Sequence, residues 1–229
     1  MKTIGLIGGM SWESTTDYYK IVNRTVKQAL GGFHSAKCVL YSVDFAEIEA
    51  CQSLGDWTGA TKILGEAAAS CEAAGADFIV ICTNTMHKVA DGIAAYISIP
   101  ILHIAEVTAD ELERQGITKV ALLGTKYTME QEFYKNRLIG RGIEVLIPDA
   151  EDRQQINDVI FKELCVGEQL DSSKQRFLEI IEKMIQHGAQ GIILGCTEIG
   201  MLIQQSDTAA MLFDTTEIHA RQATLFALE

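Results

Sequence analysis

Two short stretches place reactive or polar side chains directly behind an apolar run. In "DFIVICTNTMHK" (77–88) the run ends at Cys82 and is followed by Thr83, Asn84, Thr85 and His87. In "GIILGCTE" (191–198) it ends at Cys196, Thr197 and Glu198. Cys196 stands before an expected helix start, where amide dipoles favour an anion, so a lowered thiol pKa is expected and the residue can act as nucleophile or proton acceptor. Thr83, Asn84 and Thr85 suit helix capping, and groups that cap a helix can also hold a carboxylate. The loop "GGMSWEST" (8–15) has two glycines that admit close backbone approach to a ligand, but it lacks the GxGxxG spacing of a dinucleotide site. His87 reads as a capping or packing residue, and His219, in "FDTTEIHA" with Asp214, reads as part of another strand-to-helix turn.

Elements that alternate between strand and helix must position these groups. "KTIGLIGG", "KCVLYSVDF", "ADFIVIC", "PILHI", "KVALLGT", "IEVLIP" and "AQGIILGC" read as strands. Between them lie amphipathic segments such as "TKILGEAAASCEAAG" and "SSKQRFLEIIEKMIQHG". Near-continuous apolar strands joined by helices predict parallel sheets covered on both faces. The chain also repeats itself. "TIGLIGG" resembles "KVALLGT", with Gly8 matching Gly124, and "GADFIVICTNT" resembles "GAQGIILGCTE", with Gly75 matching Gly188. Counting from those glycines pairs Cys196 with Thr83 and not with Cys82. Since strand side chains alternate faces, Cys82 is expected to be packed and Thr83 to face a ligand cleft between two similar halves.

Composition narrows the function. The 229 residues are 48% hydrophobic and 22% charged, the balance of an ordinary globular chain. A net charge of −12 argues against a nucleic-acid partner. No apolar run is long enough for a membrane span, and the N-terminus does not read as a signal peptide, so a cytoplasmic location is expected. The six cysteines form no CxxC or metal-type cluster and are expected to be free thiols.

"GLIGGMSWEST", "TNTMH", "LLGT", "GCTE" and "FDTTEIHA" together resemble the aspartate/glutamate racemase superfamily, the PLP-independent amino-acid racemases, over nearly the whole chain. The resemblance implies two pseudo-symmetric α/β domains, each a parallel sheet flanked by helices, with the active site in the cleft between them. The expected domains are 1–98 plus 210–229, and 99–209. It further implies no cofactor, no metal, a small amino-acid substrate and a homodimer. In the family two cysteines on opposite sides of Cα serve as base and acid. Cys196 corresponds to the second, and Thr83 stands where the first would be, because Cys-Asn-Thr here reads Thr83-Asn84-Thr85. The expectation is therefore abstraction from the L enantiomer by Cys196, with D substrates handled poorly. Substrate contacts carry over to Met10, Asn84, Thr85, Thr125 and Thr197.

A second departure concerns the substrate side chain. Where aspartate racemases place cationic groups, the loop "DFAEIEACQSLGD" offers Gln52 and "FKELCVG" offers Cys165. A neutral amino acid such as homoserine is the alternative to aspartate or glutamate. A maleate-isomerase or decarboxylase-like relative, or an inactive amino-acid-binding protein, are the other readings.

Overall fold

The computed structural model describes all 229 residues. In chain order the strands and helices are β1 (Ile4–Gly8), α1 (Trp12–Leu30), β2 (Cys38–Ser42), α2 (Phe45–Leu54), α3 (Trp57–Ala73), β3 (Phe78–Ile81), α4 (Ala90–Ala94), β4 (Ile101–Leu102) and α5 (Ile104–Arg114). They continue with β5 (Lys119–Gly124), α6 (Lys126–Glu130), α7 (Glu132–Ile139), β6 (Glu144–Leu146), α8 (Ala150–Lys162), α9 (Asp171–Gln186), β7 (Gly191–Gly195), α10 (Ile199–Leu202), β8 (Leu212–Asp214) and α11 (Thr215–Leu228). A 3₁₀ turn at Thr85–Val89 precedes α4.

Two four-stranded sheets result, ordered β2-β1-β3-β4 and β6-β5-β7-β8, with every pairing parallel. The identical strand order is the structural form of the internal repeat. Central strands β1, β3 and β7 are buried along their whole length. That is why their sequences are continuous apolar runs and do not alternate.

One compact unit holds residues 1–104 and 219–229, and the other holds 105–218. These crossings differ from the expected breaks at 98 and 210. The two-residue β4 pairs with β3, which keeps 101–102 in the first sheet, and β8 pairs with β7, which keeps 212–214 in the second.

In the first unit, Ile4, Leu6, Phe78 and Val80 pack under Tyr18 and Val22 of α1 and Ala220, Ala223 and Ala227 of α11. The opposite sheet face, with Ile7, Ile79 and Ile81, packs against Leu64, Ala67, Ala68 and Cys71 of α3. The second unit has its own core of Ala121, Leu123, Ile192 and Leu194 under Ile156, Ile160, Phe177 and Ile181.

Local signals set the helix ends. Ser11 caps α1 by accepting from the Ser14 amide, and Gly31, at φ 72°, ends it. The segment read from sequence as a loop carrying Gln52 is instead the helix α2. Asp44 caps its start through the Ala46 amide, and Gly55, left-handed at φ 70°, stops it. No helix is long and apolar enough to cross a membrane.

Candidate active site

In each sheet the polar groups lie just past the carboxyl ends of central strands, the usual place for ligands in parallel α/β sheets. In the first unit these are Met10 after β1 and Thr83, Asn84 and Thr85 after β3, all buried. Gln52 also belongs to this unit, buried in the last turn of α2. In the second unit they are Thr125 after β5 and Cys196, Thr197 and Glu198 after β7, again all buried.

The first loop is held from α1. Thr15 Oγ1 accepts from the Gly9 amide at 2.9 Å and donates to the Ser11 carbonyl at 2.6 Å. Gly9 sits at φ 92°, and a Cβ there would lie 2.2 Å from the Val43 carbonyl oxygen, so no other residue fits the turn.

Behind β3, Cys82 is fully buried with Sγ over the Val80 carbonyl, as the face alternation required. Burial drives its thiol pKa well above the usual range, with smaller contributions from Cys71 and Cys38. Cys82 is therefore an inert core thiol. Thr83, next in the chain, has its carbonyl fixed by His87, whose Nδ1 lies 2.7 Å away. The Ile104 amide donates to His87 Nε2 at 3.1 Å, so Nε2 is the acceptor and the proton sits on Nδ1, donated to Thr83. A second buried histidine stands behind it: Tyr18 Oη lies 2.9 Å from His219 Nδ1, and His219 Nε2 lies 2.8 Å from the Leu102 carbonyl. His87 thus packs, as its sequence position suggests, His219 is buried in the helix that follows the strand-to-helix turn at Asp214, and each also bonds the segment at which the chain leaves the first unit. Nothing in the sequence signalled that connection, because the partners are far apart along the chain.

Behind β7, Cys196 Sγ donates to Glu198 Oε2 at 2.9 Å, and Thr197 Oγ1 donates to the same oxygen at 2.9 Å. The lowered thiol pKa expected from a helix start is overturned. Burial, the Glu198 carboxylate and nearby Cys165 push the thiol well above its usual range. The helix that follows is one turn, Ile199–Leu202, too short for its dipole to outweigh a carboxylate in contact. The bond from Glu198 to the thiol is the feature sequence reasoning missed, and the carboxylate two residues beyond Cys196 was the available signal. Thr125 accepts from the Thr128 amide at 3.3 Å and caps α6. Cys165, in the short 3₁₀ turn Leu164–Val166, packs against the second core.

A thiol poised on a carboxylate is an acid–base pair of the kind that moves protons at carbon. Residues 7–223 match the family model described as Asp/Glu/Hydantoin racemase. The chain belongs to that family. It is accordingly an isomerase of the amino-acid racemase class.

Over its full length it is 53% identical to an Asp/Glu racemase structure from Yersinia pestis, with a TM-score of 0.92 and both chains fully covered. It is 36% identical, with a TM-score of 0.86 and both chains fully covered, to an aspartate racemase homologue from Pyrococcus horikoshii OT3. The broad specificity amino-acid racemase RacX of Bacillus subtilis (strain 168) is 28% identical over 160 residues, which cover 70% of this chain and 69% of that protein.

Proposed function

We propose that the protein racemises aspartate or glutamate without a cofactor, with Cys196 taking the α-proton of the L enantiomer and Thr83 serving the opposite face of Cα. The observation that carries this reading is the 2.9 Å bond from Cys196 Sγ to Glu198 Oε2, at the strand end that matches Thr83 in the repeat. The buried thiol is protonated at rest, and its proton passes to the Glu198 carboxylate within reach. The thiolate then takes the α-proton: the Cα–H bond breaks, an S–H bond forms, and the electron pair delocalises into the substrate carboxylate. Asn84, Thr85 and Thr197 supply donors to that carboxylate, with Met10 shaping the glycine loop beside it. A new Cα–H bond forms on the far face with a proton from the Thr83 hydroxyl; solvent reprotonates Thr83, and Glu198 returns its proton to solvent, which closes the cycle with both groups in their starting states. A threonine hydroxyl is a poor base near neutral pH, so abstraction from the D enantiomer is slow. The equilibrium between enantiomers is unchanged.

A second reading, a racemase of neutral amino acids such as homoserine, draws support from Gln52 and Cys165 standing where a cation would hold a side-chain carboxylate. The broad specificity named for the Bacillus subtilis relative points the same way.

Proton NMR of L-aspartate, L-glutamate and L-homoserine in D₂O tests both. The expected result is loss of the α-proton signal from the acidic substrates, cut roughly 10²- to 10⁴-fold by Cys196→Ala. Exchange from homoserine alone would replace the first reading with the second. No exchange from any substrate would favour an amino-acid-binding protein, and a covalent adduct on a cysteine by mass spectrometry would favour a maleate-isomerase-like reaction.

A further inference from the structure

Glu13 lies in the first turn of α1, two residues beyond the Ser11 cap. Its side chain is half-buried, yet its Oε2 is shut away from water and meets no donor. A carboxylate oxygen buried in this way leaves its desolvation uncompensated, and native structures rarely tolerate that without a reason. The amino end of a helix favours an anion, which accounts for the charge of Glu13. It does not account for the missing donor. Neighbouring donors are committed elsewhere: the Ser14 amide and the Ser14 and Thr15 hydroxyls go to Ser11, and the Thr16 hydroxyl goes to the Trp12 carbonyl. Lys20, the first cation along the helix, pairs with Asp17.

Strands β1 and β3 are neighbours, with Ile7 beside Ile81. The turn that carries Glu13 and the turn that carries Asn84 and Thr85 therefore leave the same end of adjacent strands. In the reaction proposed above, Asn84 and Thr85 supply donors to the substrate carboxylate. An α-amino acid also brings an ammonium group, with three N–H donors and a full positive charge. While that nitrogen stays protonated, its charge stabilises the electron density that develops at Cα. A carboxylate beside it keeps it protonated. Within the glycine turn, residues 8–16, Glu13 is the only anion.

We infer that Glu13 binds the α-ammonium of the amino-acid substrate through its buried Oε2. The assignment rests on the amino-acid-racemase reading of this site and adds the anionic group which that reading leaves out. It serves acidic and neutral amino acids alike, because it reads the group they share. A des-amino acid gains nothing from it, since such a ligand brings no N–H to the buried oxygen.

Calorimetric titration of the full chain with L-aspartate and with succinate, its des-amino counterpart, tests this. The wild type is expected to bind L-aspartate about tenfold or more tighter than succinate. Glu13→Gln keeps the shape and removes the charge. Its affinity for L-aspartate should fall about 10- to 100-fold, and KM should rise to match, while succinate binds no more weakly than before. If homoserine is the amino acid that the wild type exchanges, L-homoserine and 4-hydroxybutanoate form the corresponding pair. Equal affinity of the wild type for both members of a pair, or an equal weakening of both by Glu13→Gln, would overturn the assignment. The wild-type comparison needs no variant, so it decides even where Glu13→Gln does not fold. Exchange of the α-proton in D₂O reports separately on the chemistry. Exchange with an unchanged KM in Glu13→Gln would sink this assignment alone. Binding that depends on Glu13 without any exchange would sink the racemase reading and keep the ammonium site, and binding of neither pair would sink both.

Discussion

Glu198 is the residue on which the proposed chemistry turns. Its carboxylate shares one oxygen between the Cys196 thiol and the Thr197 hydroxyl. It offers a place for the thiol's proton and also raises the energy of the thiolate through its own charge. The two effects can be separated by pH. With the thiol held well above 9.0, exchange of the L-substrate α-proton should keep rising past pH 9, where an ordinary thiol would already have ionised. Glu198→Gln removes the charge and keeps the shape, so the alkaline limb should move to lower pH while the rate near pH 7 falls about 10- to 100-fold. A pH–rate profile of both proteins checks this, and an unmoved limb would show that Glu198 does not act on the thiol. Cys196, Thr83 and their pairing through the repeat were legible in the sequence. The raised pKa was not, because it depends on burial and on a carboxylate folding back toward the thiol.

At the scale of elements, the strand end bearing Thr83 is held by a histidine from the following turn. His87 donates to the Thr83 carbonyl and accepts from the Ile104 amide, so it joins the loop after β3 to the start of α5. His87→Ala leaves a carbonyl and an amide without this partner in a buried place, at a cost of about 2–5 kcal/mol. Denaturant titration should show that loss. Exchange should fall more in kcat than in KM if the loop geometry matters to proton return, and His87→Gln should recover part of it. An equal loss of stability with unchanged kcat would reduce His87 to a core residue. The elements themselves were largely readable, since long apolar runs, caps and glycine stops announce them. The helix α2 was not: its apolar residues do not form a clear stripe, and its identity rests on the Asp44 cap and the Gly55 stop.

At the scale of the whole molecule, two ionisable groups, His219 buried and Asp214 half-buried, tie the units to pH with opposite sign. His219, in the first unit, has its pKa lowered from 6.5 to about 4 by burial. Its neutral form is favoured on folding, so its contribution is complete above 6.5 and is lost as pH falls toward 4, by up to about 3 kcal/mol. Asp214, in the second unit, has its pKa raised from 3.8 to about 6 by burial, against the amides of Thr216 and Glu217 that bond it. Its contribution is complete below 3.8 and is lost as pH rises through about 6. Acidification from pH 6.5 to 4.5 should therefore destabilise the first unit and favour the second, seen as diverging unfolding transitions in calorimetry or hydrogen exchange. His219→Gln should flatten the first response; parallel shifts of both units in the wild type would refute the assignment. The sequence by itself determined the doubled α/β plan, the family and the pairing of Cys196 with Thr83, because apolar periodicity and internal repetition are properties of order along the chain. Only the tertiary structure decided the crossings at 104 and 218, the state of the Cys196 thiol, the histidine links to Thr83 and Leu102, and the burial of the Glu13 oxygen without a donor. Each depends on residues distant in sequence coming together or staying apart, and local pattern does not carry that information.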